Sequence, residues 1–281
     1  MATTFIALSS MSGIVCASDT NHTIYQLSHH QPLAVAVNSH SSIPWDSIIN
    51  AYKRTGEPEC KKTFEEYALE FVHMFPKLKD VTLHDLPTED RDIIFMGYGK
   101  DDLFPTICYL VLTTNGPQNQ IEIEEKRLVQ ISHQNPASLD ILGNLESVST
   151  ILYGSTRKTI DLLQNKHLEQ FEVYKQRVIE KFKGTEYENF VKQKLADYDP
   201  KEDFKALINE ASDNTFAEVK HGINSFSIEE MVDATETIID AEVRLDHLSS
   251  GRLGPLHCTK EIAVITRVEG LTWIKHSLYA L

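Results

Sequence analysis

The run GIVCAS (13–18) is small or apolar throughout and reads as a strand buried on both faces. It ends in an acid, Asp19, followed by Thr20, Asn21 and His22. A carboxylate there has two uses. It can cap its own turn through backbone hydrogen bonds, or it can supply a fixed negative charge to a reaction centre. No Lys or Arg precedes Lys53, so His22 is the only nearby side chain able to carry a positive charge. His22, His29, His30 and His40 cluster in sequence, but no pair has the i, i+4 spacing of a helical zinc site. They read as solvated turn residues, and no metal is expected. The segment GYGKDDLFP (97–105) is a strand-to-turn connection and not a phosphate loop, since no helix N-terminus follows it. No dinucleotide, Walker or nucleophile-elbow motif occurs, so no cofactor is expected.

The elements around Asp19 are mostly strands. TTFIAL (3–8), GIVCAS (13–18), TIYQLS (23–28) and PLAVAVNS (32–39) are short apolar runs separated by turns. Two amphipathic helices follow. One opens after Pro44, and the other, TFEEYALEFVHMF, puts Phe64, Tyr67, Ala68, Phe71, Val72 and Phe75 on one stripe. Four aromatic residues make that stripe wide for a helix covering one sheet. Either part of it faces a partner, or all of it packs inward.

Three more strands are expected at 91–99, 106–114 and 120–132, then a helix from LGNLESVSTILYG. Residues 156–222 change character, rich in Lys, Glu and Gln, and read as three or four helices broken at Gly184 and Pro200. A helix capped by Ser227 with Glu230 and a closing hairpin turning at Glu269-Gly270 complete the chain. Short turns between consecutive strands give antiparallel sheets, and paired helices give outer layers. The expected fold is α/β (α+β), a four-layer αββα sandwich of residues 1–155 and 223–281 with a helical insertion at 156–222.

The bulk properties narrow the function classes. A formal charge of −14 over 281 residues opposes a nucleic-acid or anionic-membrane partner. No apolar run is long enough to span a bilayer, and the first residues lack the features of a secretory signal. Cys16, Cys60, Cys108 and Cys258 are scattered and read as reduced structural thiols, which points to a cytoplasmic protein.

Taken in order, TTFIA, GIVCASD with TIYQLS, FMGYGKDDLFPTICYLV, LGNLESVSTILYG and EIAVITRVEGLTWIKHS resemble a proteasome-type β-subunit of the N-terminal-nucleophile hydrolase superfamily. The bacterial proteasome-like branches are the most similar. The resemblance covers about 3–155 and 223–277, and it implies an αββα fold. It also implies a catalytic Thr3 whose free α-amine, of pKa about 7.7–8.0, is the base, with Asp19 orienting the site.

The departures from that pattern are specific. The family's lysine is matched by Thr23, its serine in the loop entering the third helix by Asn144, and its Gly-Gly turn by HCTK (257–260). Removing Met1 would expose Ala2 and leave the Thr3 nitrogen in a peptide bond. Two functions follow as expectations. The first is a proteasome-like subunit with a degenerate site, acting in structure or assembly. The alternative is a threonine-type amide-bond hydrolase, with Thr3 freed by loss of Met1 and Ala2. The resemblance further implies a homo-oligomer, and the mixed charges of 156–222 suggest a solvated or partner-docking surface.

Overall fold

A computed structural model of the chain describes residues 4–20, 23–28, 31–38, 43–54, 62–73, 92–115, 120–143, 157–250 and 261–276. The chain divides into two compact units, residues 1–148 with 220–281 and residues 149–219.

The first unit contains β1 (Thr4–Ser10), β2 (Gly13–Ser18), β3 (Ile24–Gln26), β4 (Leu33–Val37), β5 (Asp92–Gly97), β6 (Thr106–Asn115), β7 (Gln120–Gln130), β8 (Ala137–Gly143), β9 (Glu261–Thr266) and β10 (Gly270–His276). Its full helices among the described residues are α1 (Trp45–Arg54), α2 (Phe64–Val72) and α6 (Ile228–Ser250). The strands form two five-stranded antiparallel sheets, in the orders β10-β9-β2-β1-β8 and β3-β4-β5-β6-β7. The sheets pack face to face. Phe5, Ala7, Ile14, Cys16, Ala263 and Ile265 of the first meet Ala34, Ala36, Ile94, Met96 and Ile107 of the second. This is the expected αββα sandwich, and strand alternation explains it: successive residues of each inner strand serve two different cores.

The outer face of the second sheet is covered by α1 and α2. Phe64 and Phe71 lie against Phe95 at ring distances of 5.3 and 6.0 Å, and Tyr52 meets Phe71 edge-on at 5.5 Å. Phe64, Tyr67 and Phe71 are all buried in this layer. The open question about the α2 stripe is thereby answered for its described residues. They pack inward and offer no face to a partner; Phe75 lies outside the described residues.

The first sheet is covered by α6, which packs on β1, β2 and β9. Met231, Thr235, Ile239 and Glu242 are buried at helical spacing, and the Ser10 hydroxyl donates to Met231 Sδ at 3.5 Å. The expected capping box starts this helix. Ser227 N–H donates to Glu230 Oε2 at 2.7 Å, and Glu230 N–H donates to Ser227 Oγ at 3.2 Å. Ser227→Ala should lower stability by about 0.5–2 kcal/mol in urea titrations, while Ser227→Asp should cost little. Equal losses in both would show that the cap contributes nothing.

One element departs from the sequence reading. Leu142 and Gly143, expected to open a helix, instead end strand β8, which pairs along the whole of β1. Of its inward-facing residues Ser138, Asp140 and Leu142, two are polar, which breaks the alternation and conceals a strand. Residues 144–156 lie outside the described residues.

Two strand pairings carry register breaks, in β10 between Trp273 and Lys275 and in β6–β7 between Val111 and Leu112. Among the described residues no helix is long and apolar enough to cross a membrane.

The second unit holds α3 (Arg157–Phe182), α4 (Glu188–Ala196) and α5 (Pro200–Ser225) up to residue 219. Gly184, at φ 77°, ends α3 with a left-handed turn, and its N–H is accepted by Glu188 Oε2 at 2.6 Å.

Candidate functional site

The strand-end site is built where β1 begins and β2 ends. Asp19 follows β2, and its backbone N–H donates to the Thr4 carbonyl at 3.2 Å. Its carboxylate Oδ1 accepts the Thr4 backbone N–H at 2.9 Å. The acid therefore lies against the start of the first strand. Thr3, His22 and Asn144 lie outside the described residues, as do His29, His30, His40, Cys60 and Cys258.

Thr23, matched to the family's lysine, heads the short strand β3 of the other sheet. Its hydroxyl lies 2.8 Å from Thr20 Oγ1 and 3.4 Å from the Thr20 carbonyl. Thr20 in turn reaches Ser18, whose Oγ accepts the Thr20 N–H at 3.2 Å. The position thus carries a chain of hydroxyls.

Glu261 was not anticipated from sequence. It opens β9, pairs in register with Ser18, and is fully buried. Its Oε2 accepts the backbone N–H groups of Thr23 at 3.2 Å and Ile24 at 3.1 Å, joining β9 of one sheet to β3 of the other. Its Oε1 lies 3.5 Å from His276 Nδ1, and the His276 ring stacks on Trp273 at 4.3 Å. The signal that could have found it is the same one that singled out Asp19: an acid at the end of an apolar strand, EIAVIT (261–266).

The electrostatic consequence is opposite to that of a lysine. A nearby cation eases loss of a proton from a hydroxyl or thiol, and a nearby carboxylate opposes it. At Cys16 burial first and the charge of Glu261 second push the thiol far above the usual range. Cys16 and Cys108 are both buried and outside any disulfide, packing residues by environment.

A second buried acid, also missed from sequence, sits in the inward face of β8. Asp140 is 1% exposed, accepts the Ser138 hydroxyl at 2.5 Å through Oδ2, and accepts the Tyr109 hydroxyl from β6 through Oδ1. Arg127 stacks over the Tyr109 ring at 5.4 Å. Burial raises the Asp140 carboxyl above its ordinary value, opposed by the hydrogen bonds of Ser138 and Tyr109 and the charges of Arg127 and Lys220. Burial also raises the Tyr109 hydroxyl, with Asp140 adding to the effect. Like Glu261, Asp140 bridges the two sheets, so both ends of the polar inventory serve as inter-sheet links. No protein-family model matches this chain, and no curated protein matches it.

Proposed function

We propose that the chain is a proteasome-like subunit whose strand-end site has become structural, so that it acts as a scaffold or assembly protein in the cytoplasm. The observation that carries this reading is the grip of Glu261 on the Thr23 and Ile24 backbone. Where a proteasome-type site would need a lysine, this chain has a threonine hydroxyl tied to Thr20 and, beside it, a buried acid. That arrangement fixes β3 against β9 and favours protonated hydroxyls, which suits a clamp and opposes a nucleophile. That Cys16 and Cys108 are outside any disulfide agrees with a reducing compartment.

One observation favours the alternative, a threonine-type amide-bond hydrolase with Thr3 as nucleophile. The Asp19 carboxylate is held against the start of β1, within 2.9 Å of the Thr4 nitrogen. The test is intact-mass measurement of the native N-terminus, followed by a peptide electrophile that captures an N-terminal threonine through its hydroxyl and amine. The scaffold reading expects no chain beginning at Thr3 and no adduct. A chain beginning at Thr3 that forms the adduct, and loses it in Asp19→Asn, would establish the hydrolase.

A further inference from the structure

The helical unit leaves a packing problem open. None of its described residues is buried, yet Leu162, Val173, Tyr174, Phe190 and Leu207 are each more than half exposed. Amphipathic helices ordinarily bury their apolar residues against something. One side of α3 is used within the unit, where Phe171 lies 5.1 Å from Tyr198 and His167 stacks on Phe204 at 5.4 Å. The other side carries a shallow groove lined by Glu169, Gln170, Val173, Tyr174 and Arg177. These residues fall into two rows of i, i+4 spacing, Glu169–Val173–Arg177 and Gln170–Tyr174. Such rows are the ridges that interlock in the commonest helix crossing, at about −50°.

We propose that this face of α3 is a contact between two copies of the chain, antiparallel and centred on Val173. The ridge Glu169–Val173–Arg177 of each copy lies in the groove of the other. The charges select the partner. Glu169 and Arg177 stand four residues either side of Val173, so the two-fold axis brings each Glu169 to the other copy's Arg177, twice over. A two-fold contact requires this self-complementarity, because each residue must suit a patch identical to its own.

The wider charge distribution agrees. Two chains of −14 repel, but Lys and Arg nearly balance Asp and Glu across 149–219, so this unit is where two copies approach at least cost. Glu169 is otherwise paired only with exposed Lys166 at 2.8 Å among the described residues, an i, i+3 surface contact of small value that is easily exchanged. A single helix crossing is small beside the roughly 1,200–2,000 Å² of a stable interface, so the dimer is weak, with a Kd on the order of micromolar or above. This contact stands independently of the reading of the strand-end site.

Sedimentation velocity on the full chain at low salt, from about 1 to 200 µM, tests it across the range where such a Kd is visible. The expected result is a shift with concentration from 31.9 kDa toward twice that mass. Glu169→Arg and Arg177→Glu each place like charges opposite one another and should weaken association by about 10-fold or more. Mixing the two single variants should restore it, because the arginine pair of one chain then faces the glutamate pair of the other. Damage to the helix itself would not be rescued by mixing. A mass fixed at 31.9 kDa throughout would overturn the proposal, as would single variants that associate like the wild type, or a mixture no better than either alone.

Discussion

Glu261→Ala is expected to lower folding stability by roughly 2–5 kcal/mol, since it strands two buried N–H donors at about 1–3 kcal/mol each and opens a small cavity. Against a typical total of about 5–15 kcal/mol, that is enough to leave a sizeable unfolded fraction. Part of the loss is offset because a buried charge, costly to desolvate, is also removed. Glu261→Gln separates the two contributions. Its amide oxygen can still accept from Thr23 and Ile24, so it should retain most of the stability that alanine loses. Urea unfolding of both variants decides the matter. If glutamine falls as far as alanine, the clamp on the Thr23–Ile24 backbone is not what Glu261 contributes.

Asp140 should leave a different signature, in the pH dependence of stability. Its folded pKa lies above the ordinary 3.8, chiefly because burial disfavours the charged form. The folded state therefore holds the proton more tightly than the unfolded state. Stability is undiminished below the unfolded pKa, falls as pH rises from there to the folded pKa, and levels off above it. Asp140→Asn cannot ionise, so its stability should fall less than that of the wild type as pH rises above the ordinary carboxylate pKa of about 4. Parallel curves for the two proteins would rule out this coupling. At neutral pH, Tyr109→Phe should cost about 1–3 kcal/mol, because it leaves the buried carboxyl one donor short.

Much of the architecture is legible in the sequence because local patterning carries it. The strands of β1, β2, β4 and β5 are unbroken apolar runs, and α2 and α6 announce themselves by stripe and cap. Asp19 is legible too, as an acid where the pattern calls for none. What escaped detection depends on partners far away along the chain. Glu261 meets Thr23 across 238 positions, so nothing near either residue reveals the pairing. Strand β8 is hidden by the very residues that matter in it: Ser138 and Asp140 occupy the inward face, where alternation alone would demand apolar side chains. The α3 groove is hidden for the opposite reason. Its rows mix both charges with one valine, which reads as an ordinary solvated helix until the fold shows which residues lie side by side.

The four rim strands among the described residues have a consequence for how this molecule can grow. A free strand rim invites another strand to zip onto it, the route to fibres and runaway association. Here β10 is interrupted by its bulge, β7 is paired across a register break, β3 offers only three residues, and β8 turns a carboxylate inward. Each is a known way of spoiling the template for an incoming strand. These features disfavour strand addition at each described rim. In the proposed two-fold contact, recognition between copies would fall to a helical surface, where charge order, and not an indiscriminate ladder of backbone groups, decides what may join.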